Sequence, residues 1–151
     1  MLQVKHLTIT HKKDLTVLVD GLTFTLSRGD RAALIGEEGN GKSTVLKLLW
    51  DPASVSAYAE WTGEIVNQGL RKGYLAQELS ADELALPVWE FCQAAPAFEN
   101  ADPKALDWAA RQVGLDGALF WDDRPMSTLS GGERVKLCLA LLMLDGPDVL
   151  L

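Results

Sequence analysis

The chain has 151 residues, enough for one globular domain with a core and too few for two. Apolar residues make up 48% and charged residues 23%, the mixture of an ordinary soluble protein. A formal charge of −7 argues against nucleic-acid or anionic-membrane binding through bulk electrostatics, and the adjacent Lys12 and Lys13 read as a solvated turn.

Alternation over residues 2–10 predicts a β-strand, with Leu2, Val4 and His6 on one face and Gln3, Lys5 and Leu7 on the other. His6 is expected to be a half-buried strand residue. Residues 11–14 form a polar turn, and residues 15–24 resume a strand pattern rich in β-branched side chains. Asp20-Gly21 marks a tight turn or a bulge within it. After a second turn at residues 27–30, Arg31-Ala32-Ala33-Leu34-Ile35 suits a strand buried on both faces, as in a parallel sheet. A glycine-rich loop follows at residues 36–41, then a helix over residues 42–50.

Short strands are expected at residues 61–66 and 71–75, the latter running to Gln77. From residue 81 to residue 123 the pattern is helical. Leu84, Val88, Phe91 and Cys92 share one face, and Leu106, Trp108, Ala109 and Val113 share a second. Pro87 fits an early turn of the first helix, and Pro103 the first turn of the next after Asp102. Acidic residues gather in this region, which reads as a solvated helical face. Ser130-Gly131-Gly132 opens a helix over residues 133–144, Asp145-Gly146-Pro147-Asp148 stops it, and residues 149–151 begin a strand.

No secretory signal is visible, and the longest apolar run, residues 137–144, is too short to span a bilayer. Cys92 and Cys138 lie far apart without a CxxC or His neighbour, so they are expected to act as small buried hydrophobes in a reducing cytosol.

Gly36-Glu37-Glu38-Gly39-Asn40-Gly41-Lys42-Ser43 fits GxxxxGK[ST] at every fixed position, between an expected strand and helix. Glycines let the backbone curl so that successive N–H groups point at phosphate oxygens, and the helix start aims its positive dipole end at the same anion. Lys42 adds a charge for the β- and γ-phosphates, and the Ser43 hydroxyl can ligate Mg²⁺. Gly36, Glu37, Glu38, Gly39, Asn40, Gly41, Lys42, Ser43 and Thr44 are the expected nucleotide contacts. The side chains of Glu37 and Glu38 are expected to face solvent. ATP over GTP does not follow from the loop alone.

Leu129-Ser130-Gly131-Gly132-Glu133 precedes the next helix, where a hydroxyl, two glycines and a helix N-terminus make either a second phosphate site or a plain N-cap. Together with the phosphate loop, this segment resembles the signature of the ABC ATPases. The resemblance continues in the expected order through Gly73-Tyr74-Leu75-Ala76-Gln77, a helical region, the signature and Pro147-Asp148, and so covers essentially the whole chain. It implies an α/β P-loop NTPase fold of ABC type: an incomplete core sheet, an antiparallel β region and a helical subdomain. The implied division is residues 1–80, 81–128 and 129–151.

The same resemblance implies ATP and Mg²⁺ as cofactors and a second ABC domain as partner, each ATP lying between one phosphate loop and the other signature. Lys42, Gln77, Ser130, Gly131 and Gly132 are then the catalytic set, with Gln77 beside Ser43 at the metal. His11 stands where the family stacks an aromatic on adenine, or is an exposed turn histidine. Gly73-Tyr74-Leu75-Ala76-Gln77-Glu78, Glu133 and the helix after it resemble the F subfamily. That implies a cytoplasmic, ribosome-associated ATPase, in translation or antibiotic resistance, that meets the ribosome through segments outside this chain and inserts nothing into a membrane. The alternative is the nucleotide-binding subunit of a membrane transporter. The family's magnesium Asp, general-base Glu and switch His would follow residue 151, so the chain is expected to be a piece of a longer ATPase, to bind ATP, to hydrolyse it negligibly and to self-associate through an exposed sheet edge.

Overall fold

A computed structural model describes residues 1–67 and 69–151, which divide into two units. The first comprises Met1–Lys72 with Leu151, the second Gly73–Leu150.

The first unit is built on an antiparallel sheet in which β1 (Leu2–His11) lies between β2 (Val17–Leu26) and β3 (Ala59–Val66). β1 buries Leu2, Val4, Leu7 and Ile9. Those positions do not alternate strictly, and the expected face of Leu2, Val4 and His6 is therefore corrected. His6 adopts φ 49°, the ladder to β3 slips between Lys5 and Thr8, and the extra residue turns Leu7 inward while His6 is exposed, not half-buried. The His6 N–H donates to Thr23 Oγ1 at 2.9 Å, which replaces its ladder bond. Opposite the bulge stands Gly63, where a Cβ would lie 2.6 Å from the His6 carbonyl oxygen. Asp20-Gly21 belongs to a second slip: Gly21 takes φ 63° and its N–H donates to Thr8 Oγ1 at 3.1 Å.

α1 (Lys42–Trp50) and α2 (Pro52–Ser56) complete this unit and bury Val45, Leu48, Leu49 and Val55. The short α2 has no counterpart in the sequence reading. Asp51 ends α1 and caps α2, its carboxylate accepting from the Ala53 N–H at 3.1 Å, with Pro52 already set for a helical first turn. Lys72 donates to the carbonyls of Leu49 and Trp50 at 2.8 and 2.9 Å, which satisfies the open C-terminal end of α1.

The strand expected over residues 31–35 is absent, and Ile35 is 95% exposed. A strand of that kind needs neighbours on both edges and cover on both faces. Among the described residues, no strand pairs with it.

The second unit is helical. α3 (Ala81–Ala85) and α4 (Val88–Gln93) replace the single helix expected there, because Leu86, preceding Pro87, is held extended at ψ 144°. The freed N–H groups are met from across the unit: Val88 donates to the Arg124 carbonyl at 2.9 Å and Trp89 to that of Asp122 at 3.1 Å. α5 (Pro96–Glu99) is one turn. α6 (Pro103–Val113) starts on Asp102, whose carboxylate accepts from the Ala105 N–H at 2.7 Å, and stops at Gly114 in the left-handed region.

Two 3-10 turns, Gly117–Trp121 and Met126–Thr128, lead into α7 (Gly131–Asp145). Gly146, at φ 59°, ends α7 ahead of β5 (Val149–Leu150). β4 is only Lys72–Gly73, shorter than expected. In the core Val88, Cys92, Phe98, Leu106, Phe120, Met126 and Leu137 pack together, with the Phe98 and Phe120 rings 5.6 Å apart. Trp108, expected on the buried face of α6, is 49% exposed, because Leu106, Ala109 and Ala110 take the core side. Cys92 is fully buried and Cys138 half-buried. The acidic balance resides here: this unit carries thirteen acidic and five basic residues, while the sheet unit carries eight and nine.

Candidate nucleotide-binding site

The phosphate loop feeds directly into α1. Gly41 is the N-cap, at φ 69° and ψ 11°, and no side chain caps the helix. The N–H groups of the first turn are thus left for a ligand, and no acidic residue stands in that turn to oppose an anion. Gly41 is fixed from behind: a Cβ there would lie 3.0 Å from both Leu18 Cβ and Val19 Cγ2. Gly39 also takes a left-handed φ, 83°.

Lys42 turns back over its own loop. Its ammonium donates to the carbonyl oxygens of Gly36 at 2.9 Å and Glu37 at 2.5 Å, while Asn40 N–H reaches the Glu37 carbonyl at 3.4 Å. Gly36, Glu37, Glu38, Gly39 and Asn40 are all exposed. Ser43 is exposed in the first turn of α1, and Thr44 beside it is half-buried.

His11 closes β1, its Nδ1 3.1 Å from Asp14 Oδ1 and its ring centroid 6.4 Å from that of Tyr58. The Asp14 carboxyl is held below its ordinary range, mainly by the Thr16 N–H and side chain, with smaller help from His11.

In the second unit, Gln77 lies exposed in a bend after β4. Ser130 is the N-cap of α7 and forms a reciprocal box with Glu133: its Oγ accepts from the Glu133 N–H at 3.2 Å, and its own N–H donates to Glu133 Oε2 at 2.8 Å. Gly131 and Gly132 face open space, since a Cβ at either would meet nothing within 4 Å. The Glu133 carboxyl is held below its ordinary range by the Ser130 hydroxyl and N–H, with smaller help from Arg124 and Lys136.

The phosphate loop and His11 thus belong to one unit, and Gln77 with Ser130, Gly131 and Gly132 to the other. Three contributors escaped the sequence reading. Leu18 and Val19 back Gly41, and Arg124 acts on Glu133 from the preceding loop. None carries a spacing signal, because each acts across the fold.

The family model described as ABC transporter matches residues 19–151. This chain belongs to that family. Among its relatives is the zinc import ATP-binding protein ZnuC of Vibrio cholerae, 36% identical over 135 residues, which are 88% of this chain and 47% of ZnuC. The ATP-binding protein YdiF of Bacillus subtilis is 31% identical over all of this chain and 22% of its own. The chain thus spans about half the length of ZnuC, and less of YdiF. Of solved structures, a bacterial Atm1-family ABC exporter with ATP bound superposes with TM-score 0.73 at 21% identity, over 99% of this chain and 28% of the exporter. CbiO1 of Clostridium perfringens gives TM-score 0.70 at 22% identity, over 99% of this chain and 63% of its own. These likenesses give the α/β P-loop fold of ABC type. The narrower F-subfamily expectation does not follow from these relatives.

Proposed function

We propose that this chain is the ATP-binding part of an ABC ATPase that serves a transporter, the alternative reading of the sequence and the one its relatives favour. The observation that carries ATP binding is the uncapped start of α1, with Gly41 in the left-handed region and Lys42 held over the loop. A triphosphate would displace the Gly36 and Glu37 carbonyls from the Lys42 ammonium, while the loop N–H groups take its oxygens.

Magnesium fits the residues present. Ser43 offers one exposed hydroxyl beside the phosphate position, and among the described residues no three His, Cys, Asp or Glu gather into a cage of their own. That suits an ion held chiefly by phosphate and water, whose charge would offset that of the β- and γ-phosphates. In this reading Gln77 reports on the γ-phosphate, Thr44 and His11 border the nucleotide, and Ser130, Gly131 and Gly132 meet the nucleotide of a second ABC domain. No helix among the described residues is long and apolar enough to cross a membrane, and the membrane-spanning partner and the cytoplasmic placement are part of the proposal. Tyr74, Gln77, Glu78 and Glu133 keep a second reading in view, an F-subfamily ATPase acting on the ribosome.

Calorimetry with Mg·ATP tests the proposal. The unsubstituted protein is expected to bind, and Lys42→Ala to lose at least tenfold in affinity. Equal binding by both would overturn the assignment of the loop.

A further inference from the structure

We propose that Glu133 holds the Ser130 hydroxyl turned away from nucleotide, and so sets how tightly the Ser130-Gly131-Gly132 turn takes the terminal phosphate carried by a partner domain. This rests on the reading of that turn as the signature, given above.

A serine hydroxyl has one proton to give. Ser130 gives it to Glu133 Oε2 across 2.7 Å, a short bond to a charged acceptor. The same carboxylate oxygen takes the Ser130 N–H at 2.8 Å, and Glu133 N–H donates back to Oγ at 3.2 Å. To donate to a phosphate oxygen, the hydroxyl must leave the carboxylate. The carboxylate then stands within hydrogen-bond reach of the same Oγ that the phosphate approaches. Two anions converge on one oxygen, which disfavours the bound state.

The charged groups acting on Glu133 stabilise this arrangement. Arg124, which also reaches Asp122 Oδ2 through Nε at 2.8 Å, and Lys136 both favour the ionised carboxylate.

A second box in the same unit has the same hydrogen bonds but a different first turn. Ser80 and Glu83 repeat the geometry at the start of α3, with Oγ to Oε2 at 2.8 Å and N to Oε2 at 2.7 Å. There the first turn carries Ala81 and Asp82, and the acidic Asp82 opposes an anion. At α7 the equivalent positions are Gly131 and Gly132, with nothing within 4 Å of either added Cβ. The Ser130 box has two glycines beside the cap where the Ser80 box has Ala81 and Asp82, so an anion meets less opposition there and the competing carboxylate gains weight.

Glutamine at position 133 keeps an acceptor oxygen for the cap and removes the charge. The test is Mg·ATP-driven pairing of the protein with a second copy, followed by sedimentation velocity at several salt concentrations. Glu133→Gln is expected to tighten pairing roughly three- to tenfold at low salt, the gain shrinking as salt rises. Glu133→Asp, which keeps the charge, gains nothing, and Glu83→Gln leaves pairing unchanged. Pairing by Glu133→Gln equal to or weaker than the unsubstituted protein, with Ser130→Arg abolishing it, would leave the signature intact and reduce Glu133 to a cap. An equal gain from Glu83→Gln would reduce the effect to net charge. Pairing absent, or insensitive to Ser130→Arg, would remove the signature reading and this proposal with it.

Discussion

Gly41 and Leu18 touch so closely that a Cβ on the glycine would lie 3.0 Å from the leucine Cβ and 3.2 Å from its carbonyl oxygen. The contact ties the start of α1 to β2, and the left-handed φ of 69° adds a second reason for glycine. Gly41→Ala is therefore expected to cost about 1–3 kcal/mol in stability and to weaken Mg·ATP binding at least tenfold. Urea midpoints and calorimetry on the same sample separate the two effects. Unchanged affinity would mean that the loop shifts without losing its N–H geometry.

Gly63 and Gly21 make a matched pair in one sheet. Both have positive φ, but a Cβ on Gly63 would meet the backbone of His6 and Lys5 at 2.6 and 2.7 Å, whereas one on Gly21 meets nothing within 4 Å. Gly63→Ala should destabilise by about 3 kcal/mol or more and Gly21→Ala by about 1. Thermal unfolding of the two variants decides this, and equal losses would show that conformation alone, not crowding, governs both sites.

Asp102 caps α6, whose Leu106, Ala109 and Ala110 face the core. Asp102→Ala leaves the Ala105 N–H without its 2.7 Å partner and is expected to cost about 1 kcal/mol, while Asp102→Asn costs little. Loss of helix signal on mild heating is the readout.

Burial pushes the Cys92 thiol from 9.0 up to about 12, with a smaller contribution from Cys138. Below pH 9 both folded and unfolded chains keep the proton, so nothing changes there. Between pH 9 and 12 the unfolded chain loses it while the folded chain retains it, and stability falls with rising pH by up to about 1.4 kcal/mol per unit. Urea midpoints at pH 8, 9.5 and 10.5 should decline in the native protein and decline less in Cys92→Ala. Parallel slopes would place the loss on other groups.

What could be read from the sequence was local. The helix at residues 42–50, the caps at Asp102 and Ser130 and the stop at Gly146 follow from chemistry within a few residues of each position. The misreadings needed knowledge of a partner segment. His6 looked inward because strict alternation was assumed, yet its bulge depends on Gly63 and Thr23 in other strands. Arg31-Ala32-Ala33-Leu34-Ile35 has the composition of a central strand, but composition supplies no neighbours. Pro87 looked like an early-turn residue of one helix running from before Leu84 to Cys92, whereas the chain breaks at Leu86 and a new helix starts after Pro87. The Arg124 and Asp122 carbonyls that accept from the Val88 and Trp89 N–H groups, and so allow the break, lie more than thirty residues away. At the phosphate loop the motif gave the left-handed Gly39 and Gly41 and the start of α1, while the backing by Leu18 and Val19 emerged only in three dimensions.

The two units share the charge unevenly, and each acts on an approaching anion before contact. Thirteen acids against five bases on the helical unit repel a triphosphate over a Debye length, about 8 Å at physiological salt, while the nearly balanced sheet unit does not. If the chain takes a nucleotide as proposed, the triphosphate meets less repulsion at the unit that holds Lys42 than at the helical unit. Added salt should flatten that difference between the units without any change in the loop itself.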